Sequence, residues 1–169
     1  DINGLKTDYN ANKYLMGTPA IGNIDGDDDL EVIIGGYSSP ASSNPIFAIN
    51  IDGTDVEGFP LILGEKTKEG PALADFNNNG KDDIVIGTDD DNIYLIYDDG
   101  TIALGFPYTA DDKFQSSPTI IDLDGVKHIF AGSNDNNLHV INSDGSLKFK
   151  INTGDKVQSS VAFVDYNDN

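Results

Sequence analysis

Three glycines, Gly35, Gly87 and Gly132, each close an apolar run, and the residues before them align. Before Gly35 stands Ala20-Ile21-Gly22-Asn23-Ile24-Asp25-Gly26-Asp27-Asp28-Asp29-Leu30-Glu31-Val32-Ile33-Ile34. Before Gly87 stands Ala72-Leu73-Ala74-Asp75-Phe76-Asn77-Asn78-Asn79-Gly80-Lys81-Asp82-Asp83-Ile84-Val85-Ile86, in register position for position. The run before Gly132, from Thr119 to Ala131, is shorter by two. A fourth start, Gln158-Ser159-Ser160-Val161-Ala162-Phe163-Val164-Asp165, copies Gln115 to Asp122. The loop-opening residues Asn23, Asp75, Asp122 and Asp165 are 52, 47 and 43 residues apart. Repetition of this kind constrains the fold more than any local propensity, because every unit must be the same element and the units must stack.

The second half of each unit repeats as well. Ile46–Thr54, Ile93–Thr101 and Leu138–Ser146 each read as a strand followed by an Asp-Gly turn, a strong hairpin signal. Gly58-Phe59-Pro60 and Gly105-Phe106-Pro107 mark one place in the next strand. Proline cannot donate to a ladder, which puts that strand at a sheet edge. Thr88–Asn92 and Ser133–Asn137 are polar connections between the second and third strands. In the first unit this connection swells to Gly36–Pro45, read as a tolerated surface loop rather than a binding insertion. No helix-period pattern of useful length occurs.

Each unit is therefore four short antiparallel strands in about 45 residues, the size of a β-propeller blade. The expected fold is all-β: three complete blades (17–68, 69–113 and 114–156), the tail of a preceding blade (1–16) and the start of a further one (157–169). Propellers close with about 4–8 blades. Closure here calls for further blades or for self-association with a second copy. Asp1 is no initiator methionine and no signal peptide is present, so the chain reads as a processed or excised piece.

The loop between the first two strands carries the chemistry. In the second unit, side-chain oxygens stand at loop positions 1, 3, 5 and 9 (Asp75, Asn77, Asn79, Asp83), with Gly80 at position 6. Alternate inward residues, a glycine at the sharp bend and a closing acid are how a short loop wraps a hard cation. An EF-hand would need Glu at position 12 and flanking helices; here the acid comes at position 9 and β-formers follow. Asp, Asn and Gly are also ordinary turn formers, and it is repetition in register that favours the cation.

The pattern hydrophobic–Asp-x-Asn-x-Asn-Gly-x-x-Asp–Ile-Val-Ile-Gly resembles the FG-GAP or VCBS repeat of integrin α-subunit propellers and bacterial secreted proteins. The Asp-Gly turn and the Gly-Phe-Pro element are similar to the bacterial branch. The resemblance spans about Thr18 to Asn169. It implies calcium held by side chains at positions 1, 3, 5 and 9 and by the position-7 carbonyl. The second loop would then use Asp75, Asn77, Asn79, the Lys81 carbonyl and Asp83. The first would use Asn23, Asp25, Asp27, the Asp29 carbonyl and Glu31, with Asp28 replacing glycine at position 6. About two calcium ions are expected, in a structural role. Asp122–His128 lacks two residues and the closing acid, so no calcium is expected there, and the motif at Asp165 stops before position 9.

Acidic residues outnumber basic ones 29 to 10, for a net charge of −19. That excludes nucleic acid, which demands a basic face, and disfavours anionic membranes. There is no cysteine, so disulfides and thiolate sites are excluded. No apolar stretch approaches the ~20 residues of a membrane span. No catalytic motif is present. His139, matched by Phe47 and Tyr94, reads as a packed side chain, and His128 lies in the degenerate loop. Tyr9, Tyr14 and Tyr37 fall outside the repeat and are the candidates for ligand stacking. The expected function is a non-enzymatic, calcium-binding propeller segment of a secreted or cell-surface protein, for adhesion or recognition of a protein or glycan. The alternatives are the propeller part of a polysaccharide lyase and a structural spacer.

Overall fold

The computed structural model describes residues 14–123 and 125–164. They form three four-stranded antiparallel sheets, each with its strands in chain order. The first holds β1 (Ala20–Gly22), β2 (Glu31–Gly35), β3 (Pro45–Ile49) and β4 (Leu61–Ile62). The second holds β5 (Ala72–Ala74), β6 (Asp83–Gly87), β7 (Asn92–Ile96) and β8 (Tyr108–Thr109). The third holds β9 (Thr119–Leu123), β10 (Val126–Gly132), β11 (Asn137–Asn142) and β12 (Leu147–Asn152). The described residues outside the sheets form turns, connections and one 3-10 turn, Ala41–Ser43. Among the described residues β5 lies beside both β1 and β9, so the three sheets stack in succession as blades of a partial propeller. The expectations for residues 1–13, Asp124 and Asp165–Asn169, including Tyr9, lie outside the described residues.

Strand β6 shows why its sequence is an unbroken apolar run. Successive side chains of a strand point to opposite faces. Ile84 and Ile86 join Ile33, Ile46 and Ala48 in the core between the first two sheets. Val85 joins Ile129, Ala131 and Ile141 in the core between the second and third. All five residues of β6 are buried. The outer strand β12 instead leaves Leu147, Phe149 and Ile151 about half exposed (43, 44 and 50%).

The aligned motifs are joints. A Cβ on Gly35, Gly87 or Gly132 would collide with Thr67, Phe114 or Val157 respectively, in the segment that leaves each blade. The Gly-Phe-Pro and Asp-Gly elements meet across blades. Gly58 lies against Asp99 and Gly100 of the next blade, and Gly105 lies against Asp144 and Gly145. Phe59-Pro60 and Phe106-Pro107 are cis peptides. Both prolines precede the edge strands β4 and β8 rather than lying within them.

His139 is buried as a packed residue. Its Nδ1 lies 2.8 Å from the Tyr108 hydroxyl and its Nε2 3.0 Å from Asp135 Oδ2, and its ring meets Phe114 edge-on at 5.4 Å. The swollen connection of the first blade is tied by Asn44, whose amide bonds both the N–H and the carbonyl of Ser38. Tyr14 and Tyr37 meet edge to face at 6.3 Å. Tyr37 donates its hydroxyl to Asp89 at 3.0 Å and lies beneath the Lys66 ammonium.

Candidate metal loops

Both loops connect the first two strands of a blade, β1 to β2 and β5 to β6. Each is closed by the acid that opens the second strand. Glu31 Oε2 accepts the Ile24 N–H at 2.7 Å, and Asp83 Oδ2 accepts the Phe76 N–H at 2.7 Å. The two carboxylates occupy one repeat position and are almost fully buried, at 1 and 0% exposed.

In the first loop one carboxylate oxygen each from Asp25, Asp27 and Glu31 comes within 4.8 Å of the other two. The backbone winds around them. Asp25 accepts the Asp27 N–H at 3.1 Å, Asp27 accepts the Asp29 N–H at 2.7 Å, and Asn23 Oδ1 accepts the Gly26 N–H at 2.6 Å. Asn23 Nδ2 donates to the Asp27 carbonyl at 2.7 Å. Burial pushes the Glu31 carboxyl up; the N–H groups of Ile24 and Asp25 oppose the shift, and the Asp25 and Asp27 charges add to it. The left-handed residue of this loop is Gly26, at position 4 (φ 83°). Asp28 is not among the positive-φ residues, so its replacement of glycine at position 6 carries no backbone penalty.

The second loop places Asp75, Asn77, Asn79 and Asp83 in the same winding. Asp75 accepts the N–H groups of Asn79 and Gly80 at 3.1 and 2.8 Å. Asn77 accepts the Asn79 N–H at 3.0 Å, and Asn79 accepts the Lys81 N–H at 2.9 Å. Here positions 4 and 6 are both left-handed, Asn78 at φ 60° and Gly80 at φ 87°. Burial raises the Asp83 carboxyl to about 6, against the N–H groups of Phe76 and Asp98 and with the Asp98 charge. For Asp75, a burial cost is outweighed by the N–H groups of Gly80, Asn79 and Asn78 and by the Lys127 charge, which leave its carboxyl low.

The third connection is built differently. Leu123 pairs with Val126, so the strands run on to a tight turn. His128 stands where Glu31 and Asp83 stand, and is as buried. Its Nε2 lies 3.0 Å from Lys148 Nζ. An ammonium can only donate, so Nε2 accepts and the proton sits on Nδ1. That buried Nδ1 finds no partner among the described residues. Burial and the Lys148 charge, opposed by Asp122, hold the imidazole pKa below its ordinary value.

Neighbouring blades match charge at these corners. Asp82 accepts the Asn23 N–H at 3.1 Å and donates its own N–H to the Asn23 carbonyl at 2.7 Å. At the same place in the next joint stands Lys127, whose charge acts on Asp75. A neutral Asn opens the loop that meets an acid, and an acid opens the loop that meets a lysine. Asp82, Asp98 and Lys148 are the contributors that loop spacing could not reveal. Asp98 was visible only as a departure from Ile51 and Ser143 at its repeat position.

Every side-chain donor of the two loops is an oxygen, the chemistry of a hard cation rather than a soft metal. The first loop's three converging carboxylates could hold a metal ion. Among the described residues no helix is long and apolar enough to cross a membrane.

No family model matches the sequence, and no curated protein matches it. Solved structures do. Bap1, a biofilm matrix protein of V. cholerae, superposes with a TM-score of 0.71 at 20% identity over 97% of this chain. BamB of Moraxella catarrhalis gives 0.59 at 16% over 84%, and the C-terminal domain of Pseudomonas aeruginosa PilY1 gives 0.55 at 16% over 77%. The chain spans only 29%, 39% and 38% of those proteins, respectively. At these identities the likeness is one of fold: the three sheets are β-propeller blades.

Proposed function

We propose that this chain is a calcium-stabilised β-propeller segment of the FG-GAP/VCBS type, from a secreted or cell-surface protein, serving adhesion or recognition of a protein or glycan. The observation that carries the reading is the first loop, where three carboxylates lie within 4.8 Å of one another at a strand junction. Two like charges about 4 Å apart repel by about 1 kcal/mol in bulk water and about 4 kcal/mol at an effective dielectric of about 20. A divalent ion converts that repulsion into attraction and ties the hairpin together. Calcium accepts the six to eight oxygens of a flexible loop, whereas magnesium keeps its waters and demands an octahedron.

The two ions, taken by Asn23, Asp25, Asp27, Asp29 and Glu31 and by Asp75, Asn77, Asn79, Lys81 and Asp83, are structural. Asp29 and Lys81 contribute through backbone carbonyls. A non-enzymatic role is in keeping with the histidines: His139 is locked in a core and His128 is capped by Lys148. The fold likeness to a biofilm matrix protein favours an exterior setting. The open apolar strand β12 suits a further blade or a second copy.

Calorimetric titration of chelated protein with calcium chloride tests the metal, with about two sites expected. No heat and no shift in melting removes the proposal. A glycan array run beside a polysaccharide-degradation assay tests the role: binding without turnover supports recognition, and depolymerisation replaces it with a lyase.

A further inference from the structure

We propose that Asp98, which lies outside the loop motif, is a positioning residue of the second metal loop. It holds the Asn79 amide and the Asp83 carboxylate as a cation needs them, and the inference rests on the calcium reading of that loop. Asp98 follows β7 in the Asp98-Asp99-Gly100 turn. Its Oδ1 accepts Asn79 Nδ2 at 2.8 Å, and its backbone N–H donates to Asp83 Oδ1 at 3.1 Å. It therefore grips the ligands at loop positions 5 and 9 together.

The reason for such a residue lies in the two loops' different donors. A carboxylate presents an oxygen whichever way it turns; an amide presents its oxygen only when its nitrogen is held elsewhere. The first loop has Asp25 and Asp27 at positions 3 and 5, and Ile51 stands where Asp98 would be. The second has Asn77 and Asn79, and Asp98 draws the Asn79 nitrogen away. The Asn79 oxygen then faces the loop, where it accepts the Lys81 N–H at 2.9 Å. The other Asp98 oxygen pairs with Lys81 Nζ at 3.2 Å. That pair offsets part of its charge, and the positioning acts through the direction it gives the Asn79 amide. Residues behind metal ligands commonly change affinity by about 10–100-fold.

The test is calorimetry with calcium chloride on Asp25→Ala/Asp27→Ala protein, in which the second loop alone should bind. Adding Asp98→Ala should weaken that binding by about 10–100-fold. Asp98→Asn keeps an oxygen for the Asn79 amide and should retain most of the affinity. The same pair in the otherwise unaltered chain, with the first loop's binding as internal reference, covers a parent that fails to fold. Melting of the chelated variants is followed alongside, since a merely structural role would lower it and leave affinity alone. Unchanged affinity in Asp98→Ala, or equal loss in Asp98→Asn, overturns the positioning role and leaves the calcium reading standing. No binding by the parent at millimolar calcium, with the unaltered chain also silent, overturns both.

Discussion

Substituting Gly58 by alanine tests whether the Gly-Phe-Pro and Asp-Gly elements are the joint between blades. Gly58 has φ 88°, and an added Cβ would strike the backbone carbonyl of Asp99. Gly154 has nearly the same φ, 81°, with nothing within 4 Å of an added Cβ. Both substitutions incur the left-handed penalty of an L residue, about 1–2 kcal/mol. Only Gly58→Ala must also push two backbones apart, which adds about 1–3 kcal/mol, the range for overpacking. The expected losses are thus about 1–2 kcal/mol for Gly154→Ala and about 2–5 kcal/mol for Gly58→Ala. For a chain of this size each kcal/mol lowers melting by about 2–4 °C. Urea and thermal unfolding of the calcium-loaded variants measure the difference. Gly105→Ala, which meets Asp144 in the same way at the next joint, should behave like Gly58→Ala. Equal losses in Gly58→Ala and Gly154→Ala would refute the joint, because at a similar φ only Gly58 has backbone in the path of the new methyl group.

Asp75→Ala should remove the second loop's share of calcium-dependent stability, about 2.7 kcal/mol at a hundredfold excess of calcium over Kd, and Asp122→Ala should leave it unchanged; differential scanning with and without chelator reads both. In chelator, Asp83 has a folded pKa of about 6 against 3.8. The folded value is the higher, so its contribution is present below pH 3.8 and lost as pH rises through about 6. The loss is about 3 kcal/mol at about 1.4 kcal/mol per pH unit, and it should vanish from the pH profile of Asp83→Asn. Ile84→Ala should cost about 2–5 kcal/mol because it empties the core between two sheets. Ile51→Ser, at a residue 76% exposed, should stay within about 0.5 kcal/mol, and urea midpoints separate the two. Phe149→Asp should reduce any concentration-dependent mass in sedimentation, since it places a charge on the open strand β12.

The local features were legible residue by residue. Glycines at fixed offsets, Asp-Gly turns and apolar runs are short-range signals, and repetition multiplied each of them until four strands per unit followed. A packed His139 followed from the same alignment, whereas Pro60 and Pro107, expected within the edge strands, stand just before them. The left-handed turn at position 4 was hidden, because it falls on Gly26 in the first loop and on Asn78 in the second, and only backbone angles show that both residues adopt it.

What the sequence determined by itself is the unit and its oxygen-lined loop, since both are contiguous and their chemistry depends on neighbours in the chain. The tertiary structure alone decided which residues stand behind the loops. Asp98 reaches Asn79 from a turn 19 residues away, and Asp82 reaches Asn23 from the next blade. His128 meets Lys148 across its own sheet. Antiparallel pairing and blade stacking fold distant segments onto one corner, and their charges match only where packing brings them within a few ångströms.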